Sequence, residues 1–171
     1  MKYFIFTFVS VLFLQASGLE FSTIKSDFIQ TITNDQNTSI VYKGTFYATK
    51  DAKALWIYDT PVEKKIYFNN NKVTIIEPMI DQVIITTLKN SPNITAILQS
   101  AKKIDENMFE AMYEGITYTV FLAKLSIEKI QYNDQLDNNI SIILENQATD
   151  IFLDDLLFEA NIPKSFDIIT Q

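Results

Sequence analysis

The sequence predicts a mainly β protein in which one large antiparallel sheet is interrupted by a single helix. Short segments of alternating apolar and polar residues follow one another from residue 19 to the C-terminus. Turns rich in asparagine and aspartate separate them. About ten or eleven strands result, and sheets of that size usually curl or close. With 171 residues, 47% of them apolar and 20% charged, the chain can form one domain with a sizeable core.

Residues 1–18 predict an export signal that is removed from the mature protein. Lys2 provides a positive start, and the apolar stretch Tyr3–Leu14 is shorter than the about 20 residues that a membrane-spanning helix needs. Ala16 and Gly18 supply the small residues expected before a cut after Gly18. We therefore expect cleavage there and a single domain over residues 19–171. The alternatives are a membrane anchor or a buried first helix.

The region Gly44–Pro61 predicts two strands joined by a polar turn. Successive side chains of a strand point to opposite faces, so aromatic residues stand on at least one face of each strand. Trp56, the only tryptophan, lies in the middle of the second strand. These aromatics either fill an ordinary core or face a ligand cavity.

The same alternation defines the other strands. They are predicted at Ile24–Thr33, Lys65–Phe68, Lys72–Glu77, Gln82–Leu88, Met108–Tyr113, Tyr118–Leu122, Leu125–Tyr132, Ile140–Leu144 and Leu157–Ala160. Phe152–Leu156 is expected to form a helical turn.

The periodicity becomes helical after residue 90. Ser91-Pro92 is a typical helix start, and Lys102-Lys103 is favourable near a helix C-terminus. Apolar residues recur at helical spacing at Ile94, Ile97, Leu98 and Ala101. The pattern predicts one amphipathic helix in an otherwise β chain, for which the simplest structural role is to plug one end of a barrel.

The composition excludes several kinds of chemistry. The chain has no histidine and no cysteine, which rules out Ser-His-Asp and Cys-His catalysis and the usual zinc ligand sets. Its 3 glycines cannot form a phosphate-binding glycine loop. The net charge is −7 and the 14 basic residues, all lysine, form no long basic run, which argues against nucleic-acid binding. We expect no cofactor and no metal.

A series of motifs runs along the chain in a defined order. They are F-x-Q at Phe28–Gln30, a strand from Gly44 to the basic Lys50, W-x-Y at Trp56–Tyr58 followed by Pro61, I-I-E-P at Ile75–Pro78, the predicted helix, and two C-terminal patterns at Asp134–Ile143 and Phe158–Ile169. Over essentially the whole mature chain, their order and spacing resemble the LolA family of periplasmic carriers of outer-membrane lipoproteins.

The resemblance implies an unclosed, strongly curved antiparallel β-barrel with a short helical lid over a hydrophobic cavity. It implies a periplasmic chaperone, not an enzyme, that acts as a monomer. The cavity would take the acyl chains of lipoproteins released by an ATP-driven transporter in the inner membrane and pass them to an outer-membrane acceptor. The expected cargo-binding wall is Phe28, Phe46, Ala48, Trp56, Tyr58 and Ile75, with Ile94, Ile97 and Leu98 on the lid and Lys50 as the lid contact.

The sequence departs from the family pattern in three places. Lys50-Asp51 stands where the family has arginine and proline, and lysine lacks the planar guanidinium fork. Ala54 replaces a large aromatic residue, and little of the family's N-terminal helix remains if cleavage follows Gly18. We therefore expect a smaller or looser lid.

Two other functions are compatible with the residues. The same scaffold could carry another lipid or hydrophobic ligand. A carboxylate-based hydrolase would need two facing carboxylates, for which Asp154-Asp155 and Asp134 with Asp137 are the densest acidic sites. Alternation alone does not decide which face of Val83–Leu88 or Tyr118–Phe121 is concave.

Overall fold

The computed structural model describes residues 19–89, 94–124 and 126–170. The export signal expected at 1–18, the helix start expected at Ser91-Pro92 and the first residue of the strand expected at Leu125–Tyr132 lie outside these residues.

The described chain forms one 12-stranded sheet and one short α-helix. The strands are β1 (Thr23–Thr33), β2 (Ser39–Thr49), β3 (Lys53–Thr60), β4 (Lys64–Asn69), β5 (Lys72–Glu77), β6 (Gln82–Thr87), β7 (Lys102–Asp105), β8 (Met108–Tyr113), β9 (Ile116–Ala123), β10 (Ser126–Asn133), β11 (Asn139–Thr149) and β12 (Asp167–Thr170). Helix α1 (Ile94–Gln99) lies between β6 and β7, and 3-10 turns occupy Pro78–Ile80 and Asp155–Phe158.

The sheet is curved and unclosed. Its order is β12-β6-β5-β4-β3-β2-β1-β11-β10-β9-β8-β7, so β12 and β7 are its two edges. Neighbouring strands are antiparallel except β12, which runs parallel to β6. Trp56 of β3 and Tyr118 of β9 line one pocket although β2, β1, β11 and β10 lie between their strands. The mainly β, unclosed architecture expected from the sequence is therefore present.

The register explains which residues share a face. Phe46 lies opposite Trp56, Trp56 opposite Ile66, and Ile66 opposite Ile75. Directly opposed residues stand on the same face, so these four form one row across the sheet on its concave, inner face. The residues between them, such as Leu55 and Ile57, face outward.

Gly44 permits a close approach inside this sheet. It lies in β2 where the pairing register with β3 shifts. A Cβ atom at Gly44 would stand 1.8 Å from the Ile57 carbonyl oxygen and 3.0 Å from the Phe28 ring. Any side chain would therefore displace β3 or Phe28.

Two apolar clusters pack on the two faces. The inner cluster joins residues of both halves of the sheet, including Phe28, Phe46, Val120 and Leu144. The outer cluster joins the outward residues of β3 to β6 to the C-terminal segment 153–166, centred on Phe158, which is 1% exposed. The C-terminal segment thus covers the outside of one half of the sheet.

Three sequence predictions differ from the structure. Lys102 and Lys103 lie in the edge strand β7, not at a helix C-terminus. No strand forms at Leu157–Ala160; a 3-10 turn over Asp155–Phe158 occupies its first half, and the Asp154 carboxylate accepts the Leu156 N–H at 2.9 Å at the start of that turn. The last strand is β12 instead, and the described sheet has 12 strands where ten or eleven were expected.

Candidate functional site

The inner face of the sheet encloses a mainly apolar pocket of about 260 Å³. Strands from both halves of the sheet and helix α1 contribute to it. Its walls are formed by Gln30, Ala54, Trp56, Tyr58, Ile66, Phe68, Ile94, Ile97, Tyr118, Ile130, Tyr132 and Ile142.

Helix α1 closes one end of this pocket. Ile94 and Ile97 face the pocket, and two side-chain hydrogen bonds hold the helix in place. The buried Thr95 hydroxyl donates to the Thr49 carbonyl at 2.7 Å, and the Gln99 amide donates to the Phe21 carbonyl at 2.9 Å. The helix is thereby fixed to the end of β2 and to the segment before β1.

An aromatic group forms one wall. The Trp56 ring contacts Phe28 edge-on at 5.0 Å between centroids and Phe46 at 4.3 Å. Phe28 is 1% exposed and Phe46 is 2% exposed, whereas Trp56 is half-buried at the pocket surface. The two phenylalanines thus hold the indole from behind while its remaining surface faces the cavity.

Polar groups are concentrated at the end opposite α1. The Tyr58 hydroxyl donates to Gln30 Oε1 at 3.1 Å in a buried hydrogen bond, and the Lys64 ammonium lies 4.6 Å from the Tyr58 ring centroid. Burial, with smaller contributions from Tyr132 and Tyr42, raises the pKa of Tyr58 well above its ordinary value. Tyr58 therefore stays a neutral donor at physiological pH.

Tyr132 and Tyr118 form a second phenol pair at this end. Their ring centroids are 4.7 Å apart. Burial raises the pKa of Tyr132 to about 12, with smaller contributions from Tyr118 and Asp134. These phenols present apolar rings to the pocket and keep a hydroxyl for hydrogen bonding.

The structure brings most of the expected site residues together. Trp56, Tyr58, Ile94 and Ile97 line the pocket. The expected residues that are buried in or against the same inner cluster without lining the pocket are Phe28, Phe46, Ala48 and Leu98.

The two remaining expected site residues belong neither to the pocket wall nor to the inner cluster. Ile75 belongs to the inner-face row of Trp56 and Ile66 but does not line the pocket. Lys50 is exposed in the turn between β2 and β3, where its N–H donates to the Ser22 carbonyl at 2.8 Å. It adjoins Thr49, whose carbonyl holds α1 through Thr95.

Sequence reasoning missed the rest of the pocket lining, namely Gln30, Ala54, Ile66, Phe68, Tyr118, Ile130, Tyr132 and Ile142. All of them follow the alternation that predicted the strands, so the signal was present. To use this signal, one also needs the pairing of each strand with its neighbours, because the pairing decides which alternating row faces the pocket. Ala54 shares the alternating row of Trp56 and Tyr58 and stands where the family has an aromatic residue; its small side chain leaves room beside Phe68, which lies opposite it in β4.

The acidic residues that a hydrolase would use have structural roles in turns. The Asp134 carboxylate accepts the N–H groups of Leu136 and Asn138 and the Asn138 side-chain amide. The Asn138 amide contact, with the backbone bonds, lowers the pKa of Asp134. Asp155 pairs with Lys53 at 2.7 Å. These carboxylates stabilise turns and a surface contact.

A larger, open depression of about 620 Å³ lies near the Asp134 turn. It is lined largely by outward residues of β9 and β10 and by acidic and amide side chains. Within residues 19–89, 94–124 and 126–170, no group of three or more His, Cys, Asp or Glu could hold a metal ion. Across the same ranges, no helix has the length and apolarity to cross a membrane.

Comparison with known sequences identifies relatives over nearly the whole chain. A family model described as outer membrane lipoprotein carrier protein LolA matches residues 20–110. An outer-membrane lipoprotein carrier protein of Campylobacter jejuni is 39% identical over 168 residues, which cover 98% of each chain. A protein of the same name from Wolinella succinogenes is 31% identical over 150 residues, covering 87% of each.

Solved structures share the fold at low sequence identity. An uncharacterized conserved protein of Thermus thermophilus aligns with a TM-score of 0.55 and 7% identity over 90% of this chain and 93% of the other. A LolA superfamily protein of Nitrosomonas europaea aligns with a TM-score of 0.53 and 10% identity, covering 81% and 90%. At these identities the likeness is evidence for the fold alone.

Proposed function

The chain belongs to the LolA family of outer-membrane lipoprotein carrier proteins, and on that premise we propose that its inner pocket holds the acyl chains of lipoproteins in transit. The protein is a periplasmic carrier and chaperone, not an enzyme. The observation that carries this proposal is the apolar pocket between Trp56 and helix α1, which has the chemistry of a hydrocarbon site.

The energetics explain why such a carrier is needed. Burying one methylene group is worth about 0.8 kcal/mol, so a sixteen-carbon chain represents roughly 12 kcal/mol of gross transfer free energy. An acylated protein therefore leaves a bilayer too slowly without a site that covers its chains. The inner pocket provides apolar walls, and its few polar groups lie together at one end, so cargo can also be released.

The pocket must widen to take more than one chain. Its volume of about 260 Å³ lies just below the range of ligand pockets, which span roughly 300–1,000 Å³. Helix α1 has six residues and is, within the described chain, the one pocket-lining element that is not paired into the sheet by backbone hydrogen bonds. We expect the Thr95 to Thr49 hydrogen bond to break when α1 moves outward, with Lys50 adjusting at the same rim.

The partners and the location follow from the same function. Residues 1–18 would direct export and be cleaved after Gly18, leaving the carrier domain 19–171 in the periplasm. An ATP-driven transporter of the inner membrane would load the carrier, and an outer-membrane acceptor would unload it. Cargo binding is proposed to involve Trp56, Tyr58, Ile94 and Ile97 at the pocket surface, with Phe28, Phe46, Ala48, Ile75 and Leu98 supporting it.

Depletion of the protein followed by membrane fractionation tests the proposal. Acylated proteins should accumulate in the inner membrane, because hydrocarbon-bearing cargo has no other soluble route. Normal sorting after depletion would overturn the carrier function. Native mass spectrometry of protein isolated from its host separates the alternative on the same scaffold: an acylated protein supports the proposal, and a small lipid supports a carrier of a different ligand.

A further inference from the structure

The pocket is closed at one end and open at the other. Along the inner-face residues of β2, the exposed fraction falls from 50% at Ile40 to 2% at Phe46 and 0% at Ala48. Helix α1 packs over the Ala48 end through Thr95 and Thr49. If the polar part of a ligand stays in water, that part must therefore lie beyond the Ile40 end of the pocket.

Hydrogen-bond donors line the open end. Gln30 Oε1 accepts from Tyr58, and neither N–H of the Gln30 amide has a partner among the residues that the structure describes. The hydroxyls of Tyr118 and Tyr132 also lack a described partner. Gln30 is only 9% exposed, and its amide faces the pocket. Among the described residues, only the Tyr113 hydroxyl is both buried and without a hydrogen-bond partner, so these donors reach the accessible space of the pocket and can donate to a ligand that brings an acceptor.

Lys64 adds a positive charge at the same end. It lies opposite Tyr58 in the β3–β4 register, and its ammonium stands over the rings of Tyr58 and Tyr42 at 4.6 and 5.5 Å. In the described part of the chain, no carboxylate lies within 4.0 Å of this ammonium. The open end therefore offers N–H and O–H donors and a cation, while the α1 end offers aliphatic carbon.

We propose that the Gln30 amide and the Lys64 ammonium bind the carbonyl oxygens by which acyl chains are attached to the cargo, while the Tyr58 hydroxyl holds Gln30 in place through Oε1, and that the chains enter with their methyl ends toward Ile94 and Ile97. An acyl group carries a carbonyl at one end and hydrocarbon along the rest, and the carbonyl only accepts hydrogen bonds. Its chemistry matches the donors of the open end, while the chain matches the apolar end under α1.

This orientation rests on the proposed function and refines it. It makes the end opposite α1 the site where the protein part of the cargo leaves the pocket. Gln30, Tyr58 and Lys64 thereby become positioning residues for the point of acylation, and Ile94 with Ile97 determine how long a chain fits.

Paramagnetic broadening of isoleucine methyl signals tests the orientation. The purified protein is labelled at isoleucine methyl groups and mixed with stearate methyl esters that carry a spin label either near the ester or near the methyl end. Ile142, which lies opposite Gln30 in the β1–β11 register, reports on the open end, and Ile94 and Ile97 report on the α1 end. We expect the label near the ester to broaden Ile142 most and the label near the methyl end to broaden Ile94 and Ile97 most.

Substitutions of the donors provide the second readout. Gln30→Leu, made and compared in a Tyr58→Phe background so that no phenol loses its acceptor, and Lys64→Met keep the side-chain size but remove the donor, and each should weaken binding of the ester about three- to tenfold. The infrared carbonyl stretch of an isotope-labelled ester should shift to higher frequency in both variants, which a purely structural effect would not cause. Lys65→Met, on the outer face of the same strand, is the matched control and should change neither value.

The outcomes of these experiments test the orientation of the chains and the carrier function separately. If the esters bind and broaden pocket isoleucines in the reverse or an equal pattern, the orientation is overturned while the carrier function stands. An unchanged carbonyl frequency in Gln30→Leu and Lys64→Met would overturn the role of these donors. If neither ester affects any pocket isoleucine, both the orientation and the proposed acyl-chain pocket fail.

Discussion

The two faces of strands β3 to β6 carry similar residues but differ in what covers them. On the outside, Leu55, Tyr67 and Val83 are covered by the C-terminal segment through Phe158, and the outer cluster is closed. On the inside, Trp56 and Ile66 alternate with them along the same strands and border a pocket of about 260 Å³. The chain supplies a cover for one face and leaves the other to a ligand.

This difference separates stability from function along a single strand. Residues of the outer cluster contribute to folding, because their packing partners belong to the chain. The pocket-lining residues of the inner face have incomplete partners until cargo arrives. Substitutions on the two faces should therefore change different measurements, and the predictions below test that separation.

Phe158→Ala should have the largest effect, and it should act on stability. Removing a fully buried phenylalanine ring costs about 3–5 kcal/mol. Urea unfolding should show this loss in the free energy of unfolding, while the folded fraction keeps its affinity for the stearate methyl ester. Phe152→Ala, at a residue that is 90% exposed directly before this segment, is the control and should change stability little. Lost ester affinity in folded Phe158→Ala would show that the two faces are not independent.

Trp56→Glu should have the reverse effect, because it should lower the affinity for the ester while the fold is retained. A carboxylate at the pocket wall must be desolvated when hydrocarbon fills the pocket, which is costly for an unpaired charge. Ester affinity should fall at least about tenfold, measured by displacement of a fluorescent apolar probe, with the fold retained. Ile143→Glu introduces the same charge at an exposed outward position of β11 and should leave affinity unchanged. Normal affinity in Trp56→Glu would remove this strand face from the site.

Thr95→Val tests the closure of the inner face by α1. The substitution keeps the side-chain shape but removes the 2.7 Å hydrogen bond to the buried Thr49 carbonyl, a loss of about 1–3 kcal/mol. Hydrogen exchange of the α1 amides should speed up accordingly, while the amides of β4 and β5 under the outer cluster stay protected. Equal acceleration in both regions would mean that α1 does not open separately.

The phenols of the inner face should make the protein sensitive to alkali. Because the pKa of Tyr132 is raised from 10.0 to about 12 by burial, the unfolded state loses this proton first as the pH rises. Its contribution to stability is complete below pH 10 and is lost between about pH 10 and 12. Unfolding midpoints should fall less steeply across this range in Tyr132→Phe than in the parent. If the unfolding midpoints of the parent and Tyr132→Phe fall in parallel with pH, Tyr132 is excluded as a source of the loss of stability in alkali.

Lys50→Leu should have the smallest effect. Lys50 is exposed beside the rim that holds α1, where a charged surface contact is worth about 0.2–1 kcal/mol. Ester release, followed by stopped-flow fluorescence, should change less than fivefold in Lys50→Leu, and Lys50→Arg should favour closure slightly. If the parent and both variants release the ester at one rate, Lys50 does not contribute to the lid.

The sequence by itself determined the strands and the kind of chemistry. Alternation predicted the bounds of β5 and β8 and came within one residue of each bound of β1. It did so because a half-buried strand must place apolar residues at every second position. The lack of histidine and cysteine excluded the common nucleophilic and zinc mechanisms, since these need those side chains whatever the fold.

Short edge strands could not be predicted in this way. Every residue of β7 and β12 is exposed, so neither strand carries an alternating pattern. They form because the edges of β8 and β6 offer unpaired backbone groups. In the case of β12, the hydrogen bonds that create the strand come from β6, which is distant in sequence.

The tertiary structure alone decided which face encloses the pocket. Leu55 and Trp56 belong to two rows that are equally apolar in the sequence, and alternation treats the rows alike. The rows became different only when the sheet curled toward Trp56 and the segment around Phe158 packed against Leu55. The joining of Gln30, Tyr58 and Lys64 at the open end likewise depends on pairing between β1, β2, β3 and β4, a long-range property that local pattern does not contain.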